Sequence, residues 1–457
     1  MPIDRVRPHG TARRGQTGIS RRHLLQTGGC AALLTGAAPA IISSRARAQQ
    51  RTLRIMQWKH FVPGYDEWFN GTYVKDWGEA NNTQVIVDNV GVADIEKLAK
   101  VEVEARRGHD LVLFIKPPAE WEDHVIDHHE IYEECEQKYG NSLDFCLKSA
   151  FNPKTNKYIG FCGAFVPAVL YYRKDLWETV GAMPNSWANV LESGRQIKLL
   201  YDKPVGISLA PEQNSGHTLR AIMYSFGASV QDADGNPALK SQETLEVIKY
   251  VKALYEEAMF GEVLAWDPAS NNRFMLAGDG SLTLDTISIA RASESMGPPI
   301  SKDLWLGEPP AGPNARLAPS FGFMTYVVWR FAENIDGASK FLVDYVASSR
   351  QGLLASGFQN MAAFPETVPD LPEIVANDVG ANRPGKYSIL SGVAGWTTNV
   401  GYPGYTSPAI SEIYNKGIIS TMCAQAATGE LTPEEALDQA DKEVRQIFQK
   451  WKASGKV

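Results

Sequence analysis

The spacing of hydrophobic positions along the chain alternates between the periods of strands and helices. Short apolar runs at residues 53–56, 85–87 and 111–115 predict three strands. After the first run, aromatic side chains recur at helical spacing, so one face of a helix should carry Tyr65, Trp68, Phe69, Tyr73 and Trp77. A second helix is predicted over residues 95–105. Strands alternating with helices indicate an α/β fold with largely parallel sheets.

The same alternation continues through the rest of the chain. Strands are predicted at 158–165, 168–172, 205–209, 281–284 and in "FGFMTYVVW", with helices between them. One helix should begin after an N-cap at Asn185 or Ser186. The Pro- and Gly-rich stretch 296–322 predicts an irregular connection. The last helix should begin with a capping box, in which Thr432 caps, Pro433 is the first helical residue and Glu435 completes the box.

The first 48 residues have the composition of an export signal. Arg21-Arg22, followed by Leu24-Leu25, is the twin-arginine pattern, and an Ala-x-Ala cleavage signal ends at Ala48. Cys30 raises the question of lipid attachment, but the preceding apolar run is very short. We therefore expect residues 1–48 to be removed and the product to be a soluble periplasmic protein.

Removal of this segment changes the charge of the chain. Residues 1–48 carry eight Arg and one Asp, which leaves 37 basic and 51 acidic residues and a net charge of about −14. This balance argues against nucleic acid or an anionic membrane as a partner. No other run approaches the length of about 18 apolar residues that a membrane span needs.

Four cysteines follow the export signal: Cys135, Cys146, Cys162 and Cys423. An oxidising compartment permits disulfides, and Cys135 and Cys146 are the closest pair in sequence. Twin-arginine cargo usually folds before export in a reducing cytosol. The sequence therefore leaves open whether this pair forms a bridge.

Four stretches, in this order, resemble segments of one known family. They are "VLYYRKDLWETVGAMPNSWANVLESGRQIK", "FMLAGDGSLTLDTIS", "SFGFMTYVVWRFAENIDGASKFLVDYVAS" and "GELTPEEALDQADKEVRQIF". In these stretches the chain resembles the extracellular solute-binding proteins of ABC importers, specifically the carbohydrate-binding group that includes maltose-binding protein. From the first to the last, these stretches extend from residue 169 to residue 448.

The resemblance implies a two-lobed periplasmic-binding-protein fold, with doubly wound sheets joined by a multi-strand hinge. It places lobe 1 at 49–164 and 315–364, and lobe 2 at 165–314 and 365–457. Such a protein would be monomeric, would use no cofactor and would catalyse no reaction. It would close on a sugar or polyol and deliver it to the permease subunits in the inner membrane, a population shift driven by the ligand.

A sugar site needs flat aromatic rings for stacking and polar side chains for directed hydrogen bonds. In doubly wound lobes the ligand lies beyond the carboxyl ends of the strands. The loop after the first predicted strand offers Trp58, His60 and Phe61, which lie outside the helical stripe. Trp68, Phe69 and Trp77 are expected in the core. Tyr65, where the loop joins the helix, fits either role.

Further candidates follow other predicted strands or lie in loops. Each has an alternative: Lys116 is equally explained as a solvated side chain, and Asn214 and His217 as part of a helix cap. Asp285 follows a strand at a position that is polar in the family, whereas Ser288 stands where many sugar-binding relatives have Trp. The remaining candidates are aromatic residues of Gly/Pro-rich loops: Trp266, Trp396, Tyr402 and Tyr405.

Two other functions remain open at this point. His124 and His128 have a spacing of four residues that can bind a metal, but no second cluster supports such a site and a charged, exposed helix explains the spacing better. Common catalytic motifs such as H-E-x-x-H, G-x-S-x-G or a P-loop do not occur. Aromatic residues with a carboxylate can also hold an amine or a quaternary ammonium compound. A cationic ligand would need a buried carboxylate, for which Asp285 and Asp267 are candidates.

Overall fold

The computed structural model describes residues 50–115, 118–297 and 299–457. The strands in these ranges are β1 (Arg51–Trp58), β2 (Thr83–Val90), β3 (Leu111–Phe114), β4 (Phe151–Asn152), β5 (Lys157–Tyr158), β6 (Phe161–Val166), β7 (Val169–Arg173), β8 (Leu282–Asp285), β9 (Leu304–Gly307), β10 (Ala318–Pro319), β11 (Gly322–Val328), β12 (Met361–Ala362) and β13 (Thr397–Thr398). The export signal and Cys30 lie outside the described residues.

The helices include several of only one or two turns. They are α1 (Pro63–Trp68), α2 (Val74–Ala80), α3 (Ile95–Ala105), α4 (His129–Tyr139), α5 (Asp144–Ala150), α6 (Lys174–Thr179), α7 (Trp187–Tyr201), α8 (Gln213–Phe226), α9 (Gln242–Ala258), α10 (Ser270–Leu276), α11 (Ser288–Met296), α12 (Ile300–Asp303), α13 (Ile335–Val346), α14 (Ser349–Ala355), α15 (Leu371–Ala376), α16 (Pro408–Asn415), α17 (Ile418–Thr428) and α18 (Pro433–Ala453). None of the described helices is both long and apolar enough to cross a membrane.

The larger sheet has six strands in the order β12-β6-β11-β3-β1-β2. β1 pairs in parallel with β2 and β3, whereas β11 pairs antiparallel with both β3 and β6. β6 therefore runs parallel to β1 and β3, and the carboxyl ends of all three lie at one edge. The strands β11 and β12 begin at this same edge. We call it the carboxyl edge, and the site below is built on it.

The smaller sheet has three strands in the order β8-β7-β9. Both pairs are antiparallel, so this sheet is not the parallel one that the alternation of elements predicted. The strand expected at 205–209 is reduced to a single parallel bridge between Val205 and Leu282. β9 lies within the stretch 296–322, which was wrongly predicted to be wholly irregular. Its pairing with β7 overrides the local Pro and Gly content.

Chain crossings connect the two sheets. β6 in the larger sheet and β7 in the smaller sheet are separated only by Pro167 and Ala168. On the return, the chain leaves β9 and reaches β11 through β10, which pairs in parallel with β13. The predicted α/β class with two lobes is thus confirmed, with a sheet in each lobe.

The aromatic stripe forms much of the core behind β1. Phe69 and Trp77 are buried as predicted, and Trp68 is partly buried. A π-helical turn, Phe69–Tyr73, joins α1 to α2 and keeps the stripe on one side. Phe69 and Trp77 pack against Phe341 of α13, with ring centroids 6.1 and 5.0 Å apart. Burial of these large rings supplies much of the hydrophobic stabilisation of this lobe.

The structure shows how the predicted helix caps and the four cysteines are arranged. Thr432 and Glu435 form the predicted capping box at the start of α18, and Ser186 is the N-cap of α7. Cys135 and Cys146, the pair considered for a disulfide, are free buried thiols, as are Cys162 and Cys423.

Candidate functional site

A cavity lies where the carboxyl edge of the larger sheet meets helices of the smaller-sheet lobe. The larger-sheet side contributes Ile115, which directly follows β3, together with Gly322 and Phe323 at the start of β11. The other side contributes His217 from α8 together with Val400, Thr406, Ile410, Ser411, Tyr414 and Asn415. Glu120 and Ser320 complete the lining. Rings, aliphatic groups and hydroxyls therefore converge between the two lobes.

The cavity is nearly closed in this conformation. Its volume of about 20 Å³ has room for a water molecule. Small-molecule sites typically measure about 300–1,000 Å³. A larger solute can enter only if the two walls separate.

His217 is the best-placed aromatic group of the cavity. Its imidazole stacks on the ring of Phe321, with centroids 4.7 Å apart and planes 23° apart. The hydroxyl of Tyr414 lies 2.8 Å from its Nε2 atom. Because Phe321 lies in the crossing before β11 and Tyr414 lies on α16, this contact ties the walls together. The helix that carries His217 begins at a Glu212 cap, whose carboxylate accepts from the backbone N–H groups of Asn214 and Ser215.

Asp285 ends β8 and is a buried carboxylate in a cage of donors. Its oxygens accept from the side-chain amides of Asn271 and Asn272, at 2.8 and 2.6 Å, and from the backbone N–H of Thr286 at 2.7 Å. Burial raises the pKa of Asp285 to about 6, with a further contribution from the negative charge of Glu212. The cage therefore orients the carboxylate but leaves it few free acceptor positions.

The loop after β1 forms an aromatic cluster at the carboxyl edge. Trp58 stacks on His60 with ring centroids 4.9 Å apart and lies 5.1 Å from Phe61. His60 also packs on Tyr65, at 4.5 Å. Trp58, His60 and Tyr65 are buried, whereas Phe61 is 60% exposed. The hydroxyl of Tyr65 bonds to that of Tyr345 at 2.6 Å, which places Tyr65 in the core of the lobe.

Comparison with known proteins agrees with this architecture. The family model for bacterial extracellular solute-binding proteins matches residues 147–353, a little under half of the chain. Over these residues the chain is similar to this family. A search of curated proteins found no match.

Solved structures extend the likeness in fold to most of the chain. A periplasmic-binding protein of Synechococcus sp. MITs9220, solved with zinc, is 16% identical, with a TM-score of 0.74 over 87% of this chain and all of the other. A sugar transporter protein of Arthrobacter chlorophenolicus A6 with bound laminaribiose is 15% identical (TM-score 0.70, 86% and 99% covered). Maltose-bound MalE3 of T. maritima is 17% identical (TM-score 0.68, 87% and 99% covered).

The remaining candidate residues are dispersed. Asn214 is buried, and its side-chain amide donates to the carbonyl of Leu284 at 3.1 Å, so it ties α8 to β8. Trp266 packs on Phe260 and Phe274 rather than on the cavity. Lys116 lies outside the described residues, next to the cavity residue Ile115.

The loop aromatics near the end of the chain have three different surroundings. Trp396 is buried and donates its indole N–H to the carbonyl of Ala168 at the crossing between the sheets. Tyr402 packs against Tyr224, at 5.2 Å. Tyr405 lines a separate, larger groove of about 640 Å³ together with Lys154, Gln231 and Phe448. Only Thr406, the next residue, lines both the groove and the cavity.

Most of the cavity wall could not be recognised from the sequence. Tyr414 and Thr406 of the wall, and Phe321, which stacks on His217, lie in stretches with no local signal for a site. Phe321 precedes an apolar strand, and Tyr414 belongs to a short amphipathic helix, α16. The Pro-rich crossings were the one usable hint, since residues beside them must lie between the lobes.

The metal hypothesis fails on the geometry of its two histidines. α4 begins at His129, so His124 and His128 do not share a helix face. His128 is buried; its Nδ1 lies 3.0 Å from the carbonyl of Tyr158, and its Nε2 accepts from the N–H of Val328 at 3.0 Å. Burial lowers the pKa of His128 to about 4, so its ring is neutral and both nitrogens are engaged. Within the described residues, no three His, Cys, Asp or Glu side chains converge as a metal site would require.

Proposed function

We propose that this protein is the substrate-binding component of an ABC importer, which captures a carbohydrate or polyol between its lobes and delivers it to a membrane permease. The observation that carries the proposal is the interlobe cavity, which combines a stacked His217–Phe321 pair with the hydroxyl of Tyr414. Aromatic faces with directed hydroxyl and amide groups are what a sugar site needs. Structures of similar fold hold laminaribiose and maltose.

The proposed lobes are residues 49–164 with 315–364, and residues 165–314 with 365–457. Membership of the strands supports this division, since β1, β2, β3, β11 and β12 build the larger sheet and β7, β8 and β9 the smaller one. β6 extends the first segment by two residues to Val166. The crossings between these segments would form the hinge.

The proposal also covers export and assembly. Residues 1–48 would direct the folded chain through the twin-arginine pathway to the periplasm and would then be removed. The mature protein would act as a monomer that contacts permease subunits. It would perform no chemistry, because its task is to present the trapped solute in the closed form.

A neutral solute fits the site better than an amine. Asp285, the buried carboxylate that the sequence offered for a cation, does not line the cavity and already accepts three N–H groups from Asn271, Asn272 and Thr286. Glu212 likewise accepts two backbone N–H groups of its own helix. An ammonium group would have to compete with these donors for the same oxygens. A hydroxyl group can instead both donate and accept.

The first test is a thermal-shift panel on the mature protein with sugars, polyols and amines. A solute at about 100 times its Kd should stabilise the protein by about 2.7 kcal/mol, which raises the melting temperature measurably. A shift with a sugar or polyol, and none with amines, is expected. If no solute in any class shifts the melt, the proposed function is wrong.

Replacing Trp58 tests whether the loop after β1 belongs to the site. Trp58→Ala should abolish the shift, but the buried ring makes this variant prone to destabilisation, by about 3–5 kcal/mol. Trp58→Phe keeps an aromatic ring but is smaller and lacks the indole N–H, so it is the folding control with the milder change. Solute shifts of normal size in both variants would exclude Trp58 from the site.

A further inference from the structure

A short segment between α14 and β12 lies across the carboxyl edge of the larger sheet. It starts beside α1, since a Cβ atom at Gly64 would lie 3.1 Å from the carbonyl oxygen of Ala355. It ends where Met361 pairs with Phe165 in β6. The segment 356–360 therefore passes over the strand ends that face the other lobe.

The backbone of this segment is strained. Gly357 and Phe358 are consecutive residues with φ values of +58° and +75°. This left-handed region suits glycine but is costly for a bulky aromatic residue. Arg291 of α11, in the smaller-sheet lobe, holds the conformation by donating to the carbonyl of Gly357 at 3.2 Å. Its guanidinium also lies 4.9 Å from the Phe358 ring centroid. Such strain persists where the surroundings enforce it, often at functional sites.

Three buried polar atoms at this place have no hydrogen-bond partner within the described part of the chain. They are Trp58 Nε1, Gln359 Oε1 and Asn360 Nδ2. The three residues are only 2–3% exposed. An unsatisfied buried donor or acceptor costs free energy, and a bound ligand or an ordered water can satisfy it.

His60 fixes the direction in which the Asn360 amide points. Nδ1 of His60 accepts from the backbone N–H of Val62 at 2.9 Å and also lies 3.1 Å from the Val62 carbonyl. With Nδ1 as the acceptor the ring proton is on Nε2, which lies 3.2 Å from Oδ1 of Asn360 and donates to it. Burial lowers the pKa of His60 to about 4, so the ring stays neutral. The NH₂ group of Asn360 is thereby turned away from His60 and left as a donor.

We propose that Asn360 is a solute-contacting residue, whose amide N–H donates with the indole N–H of Trp58 to oxygen atoms of the bound sugar or polyol, and that His60 is its positioning residue. The inference rests on the proposed function and deepens it. Two neutral donors select a ligand rich in acceptor oxygens. An ammonium compound, which has only donors, would leave both N–H groups unpaired.

The experiment measures binding of laminaribiose, maltose and ribitol by titration calorimetry to the mature wild-type protein and its variants. Asn360→Ala and Asn360→Asp should each weaken binding of the best of these probes at least about tenfold, the effect of one lost directed hydrogen bond of about 1.4 kcal/mol. Asn377→Asp is the matched control. Asn377 is an exposed residue that directly follows α15, so this variant should bind normally.

Stability separates a contact from a structural role. Asn360→Ala removes one hydrogen bond to His60 but also the unsatisfied donor, so its melting temperature without solute should stay within about 2 °C of wild type. Weaker binding accompanied by a much lower melting temperature would overturn the proposal.

A double-mutant cycle tests the role of His60. His60→Phe should weaken binding in the wild-type background but add little to Asn360→Ala, because both changes remove the same donor. His60→Gln, whose amide can still donate to Asn360, should restore part of the affinity. If the Asn360 variants bind the probe as tightly as the wild type does, the inference is wrong and the proposed function is unaffected. Absence of binding by the wild type to every probe and every solute of the panel would refute the proposed function and the inference with it.

Discussion

Asp285 shows how a single buried carboxylate links the site to stability. Three N–H donors hold it in place, yet burial raises its pKa from 3.8 to about 6. The folded state therefore binds a proton more readily than the unfolded state between these two pH values. The stability that this residue contributes is fully present below about pH 4 and is lost as the pH rises through about 6.

Asp285→Asn should remove this pH dependence. Relative to the variant, the wild type should lose about 3 kcal/mol of unfolding free energy between pH 4 and pH 7, from a pKa difference of about two units. Urea denaturation of both proteins at several pH values measures the difference. His60 and Glu212 titrate in both proteins and cancel in the comparison. Parallel pH profiles would show that Asp285 has an ordinary pKa.

Among the elements, α11 has an unusual role because one of its side chains joins three parts of the chain. Arg291 bonds to the Gly357 carbonyl of the larger-sheet lobe and to Asp378 at 2.7 Å, and it stacks on Tyr387 at 4.1 Å. Glu294, one turn further along, accepts from Tyr387 and pairs with the buried Lys386. A buried ion pair costs little free energy while both partners are present. Removing one partner leaves a buried charge without compensation, which destabilises the protein much more.

Arg291→Met should destabilise the protein by about 2 kcal/mol, less than for a fully buried pair because both partners of the Arg291–Asp378 pair retain some exposure. Methionine keeps the apolar contact with Phe358 and Tyr387 and removes only the charge and its bonds. Arg273→Met is the matched control, since the Arg273–Asp267 pair is exposed and its loss should have little effect. Urea titrations of the wild type and both variants measure the change in unfolding free energy. Equal values for Arg291→Met and the control would contradict the role assigned to α11.

The proposed function requires the whole molecule to change shape. The interlobe cavity has a volume of about 20 Å³, and contacts such as that between the Thr406 N–H and the Lys148 carbonyl, at 2.9 Å, hold the walls together. A sugar cannot enter this conformation. The closed form is therefore one state of an equilibrium that solute contacts with both lobes would shift.

Small-angle X-ray scattering of the mature protein tests this motion. Without solute, the radius of gyration should exceed that calculated from the closed structure. The panel solute with the largest thermal shift should lower it towards that value, because ligand contacts to both lobes favour closure. A radius equal to the closed value with and without the solute would exclude entry by lobe separation. An inactive sugar from the same panel serves as the control.

The sequence determined the local features of this protein. The helical stripe from Tyr65 to Trp77, the capping box at Thr432 and the Ser186 cap all formed as predicted. These signals depend on neighbours within about four residues, so a single chain segment contains them. The order of such segments was enough to predict the α/β class and to suggest a resemblance to a known family.

Tertiary structure alone decided which residues meet at the site. Ile115, His217, Gly322 and Tyr414 line one cavity although they are far apart in sequence, because parallel strand ends and chain crossings bring them to one edge. The same is true of Asn360, which reaches His60 only because its segment passes over the sheet. Loop composition suggested a cleft role for Trp396, but its indole bonds to the Ala168 carbonyl at a crossing. Contacts between distant segments produce no periodic pattern in a sequence. For this reason the fold class could be predicted from the sequence, whereas the residues of the site could not.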